Sequence, residues 1–146
     1  MDRAGITGEA VKKELITRLD ARTAVVGIIG LGYVGLPLSL RFAEVGYKVI
    51  GMDIAPEKVD SLLRGQSYIH HIPPSAVQAA RSRRFDATTD YSRAAECDAL
   101  IICVPTPLTR HREPDLQFVI GTMESLLPYL HAGQVVSLES TTYPGT

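Results

Sequence analysis

Ala24-Val-Val-Gly-Ile-Ile-Gly30 runs directly into Leu31-Gly32-Tyr33-Val34-Gly35-Leu36-Pro37, and this junction decides the fold. The first part is apolar on both faces, as a central parallel strand must be when helices cover both sides of its sheet. The second part sets glycines at 30, 32 and 35 between that strand and a helical pattern reaching about Gly46. Gly30 permits a tight turn, Gly32 lets a pyrophosphate approach the backbone, and Gly35 lets the helix lie close on the strand. The helix start then offers unpaired N–H groups and a partial positive charge to phosphate. Gly30, Leu31, Gly32, Tyr33, Val34 and Gly35 are therefore the first candidate ligand contacts.

Outward from the junction, Tyr47-Lys-Val-Ile-Gly-Met-Asp53 reads as a second strand ending in a carboxylate. An acid at that point accepts hydrogen bonds from ribose hydroxyls and repels a 2′-phosphate, so the expected ligand is NAD rather than NADP. Lys58, five positions on, softens that repulsion. Pro56 begins a helix that stops at Gly65, Gln66 to Pro74 reads as an irregular loop, and a short helix starts near Ser75. Phe85 to Thr89 reads as an edge strand, Tyr91 to Glu96 as a brief helix and Asp98 to Val104 as a fourth strand. Asp115 caps a helix expected to reach Leu130, and Gln134 to Glu139 is the fifth strand. Strands alternating with helices imply right-handed βαβ units. The expected class is α/β, a Rossmann-like doubly wound parallel sheet of order 3-2-1-4-5, stopping before a possible sixth strand.

Glu9 to Asp20 repeats apolar residues at helical spacing, so residues 1–22 read as a lead-in helix and 23–146 as the nucleotide-binding domain. The formal net charge is −1, which provides no field for nucleic acid or an anionic membrane. Arginines at 81, 83, 84, 110 and 112 are interrupted by acids and read as solvated faces. The longest apolar stretch, Ala24 to Leu40, is broken by glycines and Pro37, so no membrane span is expected. With no signal-peptide pattern at the start, the expected location is cytoplasmic. Cys97 and Cys103 have neither a zinc spacing nor a disulfide framework. His70, His71, His111 and His131 form no metal-like pair and read as surface or loop residues.

With these pieces in order, the chain resembles the UDP-glucose/GDP-mannose dehydrogenase family. The likeness is carried by Gly30-Leu-Gly-Tyr-Val-Gly-Leu-Pro37, Gly51-Met-Asp-Ile54, Ser67-Tyr-Ile69, His71-Ile-Pro73, Cys97 through Pro107, Arg112-Glu-Pro-Asp115 and Glu139-Ser-Thr-Thr-Tyr-Pro-Gly-Thr146. The last two segments and Ser67-Tyr-Ile69 look most like the branch oxidising UDP-N-acetylglucosamine, with UDP-N-acetylmannosamine and UDP-glucose enzymes as near alternatives. His70 departs from that branch, which often has an acid there. The resemblance implies a basic residue at Lys58 near the adenosine end. It also implies Thr106 beside the nicotinamide half, and Ser140, Thr141 and Thr142 in a loop reaching NAD.

The family chemistry implied is two hydride transfers that take the sugar C6 alcohol to a carboxylate, through a cysteine-bound thioester that water releases. The nucleophilic cysteine of that scheme falls beyond this segment, so no catalytic residue is expected here and the 146 residues alone are expected to be inactive. A role in polysaccharide precursor synthesis and a homo-oligomeric full-length enzyme are further implications of the resemblance. Two other readings stay open at this point: a hydroxyacid or 6-phosphogluconate-like dehydrogenase, and a noncatalytic NAD-binding module. An uncovered sheet edge would also make the segment prone to association.

Overall fold

In a computed structural model, which describes residues 7–141, the five apolar runs pair side by side into one sheet. The strands are β1 (Val25–Ile29), β2 (Lys48–Met52), β3 (Phe85–Thr88), β4 (Ala99–Ile102) and β5 (Val135–Leu138). All pairings are parallel and the order is β3-β2-β1-β4-β5, as the alternating pattern requires. Ile29 sits level with Met52 on one side and Ile102 on the other, so the central strands end together at one edge.

Side chains alternate across the sheet with period two. Val26, Ile28 and Val49 join one buried cluster, beneath α2 (Gly35–Glu44), α3 (Pro56–Leu63) and α4 (Pro74–Arg83). Ile29, Ile50, Met52, Leu100 and Ile102 face the other way, against Ala94 and Leu126. That second face is covered by a 3-10 turn, Tyr91–Glu96, and by α5 (Gln117–Leu126).

α5 departs from its expected limits at both ends for local reasons. Asp115 accepts the Gln117 N–H at 3.0 Å but lies one residue before the capping position, which Leu116 occupies. At the other end Pro128 has no N–H to give the preceding turn, so the chain tightens into a 3-10 turn, Leu127–Tyr129.

α1 (Gly8–Asp20) rests against the amino edge of the sheet, opposite the glycine turn. Arg18 pairs with Asp98, whose other oxygen accepts the Val25 N–H at 2.7 Å. Tyr47 donates its hydroxyl to the Leu19 carbonyl at 2.7 Å. Among the described residues no helix is long and apolar enough to cross a membrane.

Candidate functional site

The glycine turn leaves β1 at the carboxyl edge of the sheet, where open α/β sheets bind ligands. Gly30 has φ +94°, and a Cβ there would stand 2.7 Å from the Cys103 carbonyl oxygen. At Gly35 a Cβ would meet the Gly30 oxygen at 1.6 Å, so α2 can start this close to β1 only with glycine. A Cβ built on Gly32 meets nothing within 4 Å: the turn has open space where a pyrophosphate would lie. Leu31, by contrast, sends its side chain fully into the core. Its N–H donates to Asp53 Oδ2 at 2.8 Å and is thereby engaged. The part of the turn that faces the cleft is thus narrower than the whole motif, with Leu31 and Gly35 packed beneath it.

Asp53 closes β2 and is nearly buried. Besides Leu31, it accepts the Ala55 N–H through Oδ1 at 2.9 Å, and Lys58 Nζ lies 3.9 Å from Oδ2. Two backbone donors leave about half of a carboxylate's roughly four acceptor directions for ribose hydroxyls. Tyr91 is affected by the same neighbourhood: burial, and then the Asp53 charge, push its hydroxyl up to about 12.

On the other side of the turn the chain leaves β4 through Cys103-Val-Pro-Thr106 and β5 through Glu139-Ser-Thr141. Ser140 donates to the Val104 carbonyl at 2.8 Å, tying the two exits together. Glu139 accepts from Ser137 Oγ at 2.7 Å. A cleft of about 390 Å³ is lined by Gly30, Gly32, Tyr33, Val34, Asp53, Lys58, Thr106, Ser140 and Thr141, all singled out from the sequence. Thr142 lies outside the described residues. Cys103, Val104 and Pro105 line the cleft too, although sequence reasoning gives them no ligand role. So does Glu139, whose place at the end of strand five allows either a cleft-facing carboxylate or one bonded to its own loop. Their only advance signal was position, at the carboxyl ends of strands four and five.

The thiols are poor nucleophiles. Burial, and then the Glu139 charge, push Cys103 up to about 11, and burial above all pushes Cys97 up to about 12. A thiol with pKa near 11 is ionised to only about one part in ten thousand at pH 7. The four histidines are exposed, and among the described residues no group of His, Cys, Asp or Glu is arranged to hold a metal ion. A second groove, of about 410 Å³, runs between α2 and α4 with Arg41, Glu44 and Arg83 on its rim. It is the slightly larger cavity but lies away from the strand ends, so the chemistry points to the glycine-turn cleft.

The donor set fits a dinucleotide: an open glycine turn at a helix start, a carboxylate beside it, and hydroxyls across the cleft. Residues 24–146 match the NAD-binding domain of the UDP-glucose/GDP-mannose dehydrogenase family. The chain belongs to that family. Its domain is an NAD-binding domain, and its sheet order is the one expected of such a domain. Similar proteins include the UDP-N-acetyl-D-glucosamine 6-dehydrogenase of Salmonella typhi, 36% identical over 120 residues, which are 82% of this chain and 28% of that protein. The UDP-N-acetyl-D-mannosamine dehydrogenase of Escherichia coli K12 is 39% identical over 126 residues, 84% of this chain and 29% of that one. Among solved structures, a UDP-glucose dehydrogenase from Pyrobaculum islandicum superposes with a TM-score of 0.77 at 31% identity, over 84% of this chain and 30% of the other. The chain therefore spans less than a third of the length of these relatives.

Proposed function

We propose that this segment is the NAD-holding part of a dehydrogenase that oxidises the C6 alcohol of a UDP-N-acetylhexosamine, with UDP-N-acetylglucosamine the preferred sugar. The reading rests on one observation: a single cleft gathers the glycine turn, Asp53, Lys58, Thr106, Ser140 and Thr141 at the carboxyl edge of the sheet. NAD, when bound, supplies a hydride acceptor. The chain's own work is to hold it. The turn and the start of α2 receive the pyrophosphate, Asp53 accepts the adenosine ribose hydroxyls, and Thr106, Ser140 and Thr141 border the nicotinamide half. The segment alone binds NAD without turning over sugar, since Cys97 and Cys103 are both held as protonated thiols.

Calorimetry with NAD tests the cofactor assignment. Asp53→Ala is expected to weaken binding by about ten- to a hundredfold, the range for hydrogen bonds to a charged group. Cys103→Ser is expected to change it far less. Equal or reversed losses would remove Asp53 from the site. The sugar is tested in the whole enzyme that carries this domain, by following NADH formation with UDP-N-acetylglucosamine, UDP-N-acetylmannosamine and UDP-glucose in turn. A higher kcat/KM for either of the last two would replace the proposed substrate. The same full-length protein, by light scattering, tests the further proposal that it is a homo-oligomer.

A further inference from the structure

The loop between α3 and α4 reaches back to the glycine turn through one side chain. Ser67 folds the loop on itself: its hydroxyl accepts the Ile69 N–H at 3.2 Å and donates to the Ile69 carbonyl at 3.1 Å. Ile69 and Ile72 anchor the loop in the core, and Gln78 holds its start by donating to the Gly65 carbonyl at 3.2 Å. Tyr68, projected from this fixed loop, donates its hydroxyl to the Leu31 carbonyl. Leu31 is thus held on both sides: its N–H, in the Gly30–Leu31 peptide, by Asp53, and its C=O, in the peptide that leads into Gly32, by Tyr68, which leaves the Gly32 N–H free to face a ligand. The Tyr68 ring has a second neighbour in Lys58 Nζ, 5.8 Å from its centroid. That distance suits a cation–π contact. A recess of about 330 Å³, lined by Gly32, Tyr33, Glu57, Lys58, Tyr68 and Ile69, joins this group to the cofactor cleft through the residues they share.

We propose that Tyr68 is a positioning residue for NAD, orienting the Leu31–Gly32 peptide toward the pyrophosphate and holding Lys58 beside Asp53. The two jobs separate chemically. The hydroxyl acts on the turn, and the ring acts on Lys58. Burial, and then the Asp53 charge, raise the Tyr68 hydroxyl far above its ordinary value, so it remains a donor throughout the neutral range.

The test uses the 146-residue chain and two ligands, NAD by calorimetry and adenosine by NMR titration, with a thermal melt of each variant. Adenosine carries the ribose that Asp53 would recognise but no pyrophosphate. Tyr68→Phe keeps the ring and removes the hydroxyl. It is expected to weaken NAD by about three- to tenfold, the scale of one hydrogen bond. Adenosine affinity should stay within about twofold and Tm within about two degrees, close to the noise of a neutral surface change. Tyr68→Leu removes both groups and is expected to weaken NAD further and to weaken adenosine as well, because Lys58 is no longer held beside Asp53. Unchanged NAD affinity in Tyr68→Phe overturns the proposal. So does a loss shared equally by NAD and adenosine, or one that tracks a fall in Tm, since either would make Tyr68 a packing residue only.

Discussion

On one face of β1 and β2 the sheet is covered by α2, α3 and α4, and Val26, Ile28, Val49 and Leu62 are buried there. Around β5 the cover is thinner: Val135 and Val136 are 44% and 40% exposed on opposite faces, and Phe118 and Ile120 on α5 are about half exposed. That first face is closed by buried residues drawn from Val26 to Ala87, and it belongs to the half that shapes the turn and Asp53. Among the described residues, the second half leaves an apolar surface beside an unpaired strand edge, which favours association. Holding the cofactor turn and covering the outer sheet are therefore separable tasks in this fold, and substitutions in the two regions should have different signatures.

The largest expected effect is at Gly35. Gly35→Ala must displace the Gly30 carbonyl, which should cost about 3 kcal/mol or more and abolish measurable NAD binding. A thermal melt and a calorimetric titration check both, and a stable variant that still binds would show the helix start has slack. On the other side, Gln134 donates to the Ala94 and Cys97 carbonyls at 2.8 Å each and accepts the His131 N–H at 2.9 Å. Gln134→Ala should cost about 1–3 kcal/mol in chemical denaturation, because it strands those groups, while NAD affinity changes less than about twofold. A parallel fall in affinity would mean the two halves are coupled.

Phe118→Lys and Ile120→Lys should leave stability within about 0.5 kcal/mol but reduce self-association of the segment in light scattering. A parent chain that is already a clean monomer at high concentration would contradict the reading of this face. The smallest effect concerns acid. Partial burial raises the Asp86 pKa, but the hydrogen bond from Arg93 and the Ala87 N–H outweigh it and bring the group below its ordinary value. A depressed carboxylate adds stability that is fully present above its unfolded pKa and is lost as pH falls through the folded value. Denaturation midpoints should thus fall below about pH 4 slightly more steeply in the parent than in Asp86→Asn. Solvent exposure keeps this difference small, and superimposable profiles would show that the pair contributes nothing.

What was legible in the sequence was local or periodic. β1, β2 and β4 announced themselves as uninterrupted apolar runs, and the turn and Asp53 by spacing along βαβ units. The end of α5 was misread because the apolar pattern continues through Leu127 and Leu130, while the missing N–H of Pro128 acts against it. The Tyr68 contact was not legible at all. It joins a loop to a turn across the fold, and no pattern along the chain encodes which carbonyl a distant hydroxyl will find. For the same reason the lining by Cys103 becomes visible only where the ends of β4 and β5 meet beside the turn.

Asp53 stands at the seam between ligand and backbone, and this constrains how coenzyme preference can change. Replacing it with a small neutral residue, the simplest way to admit a 2′-phosphate, also takes away the acceptor for the Leu31 and Ala55 N–H groups. The turn would loosen in the same step that relaxes discrimination. An evolutionary path or an engineering scheme toward NADP must therefore bring a second substitution that re-anchors the turn before the first becomes useful.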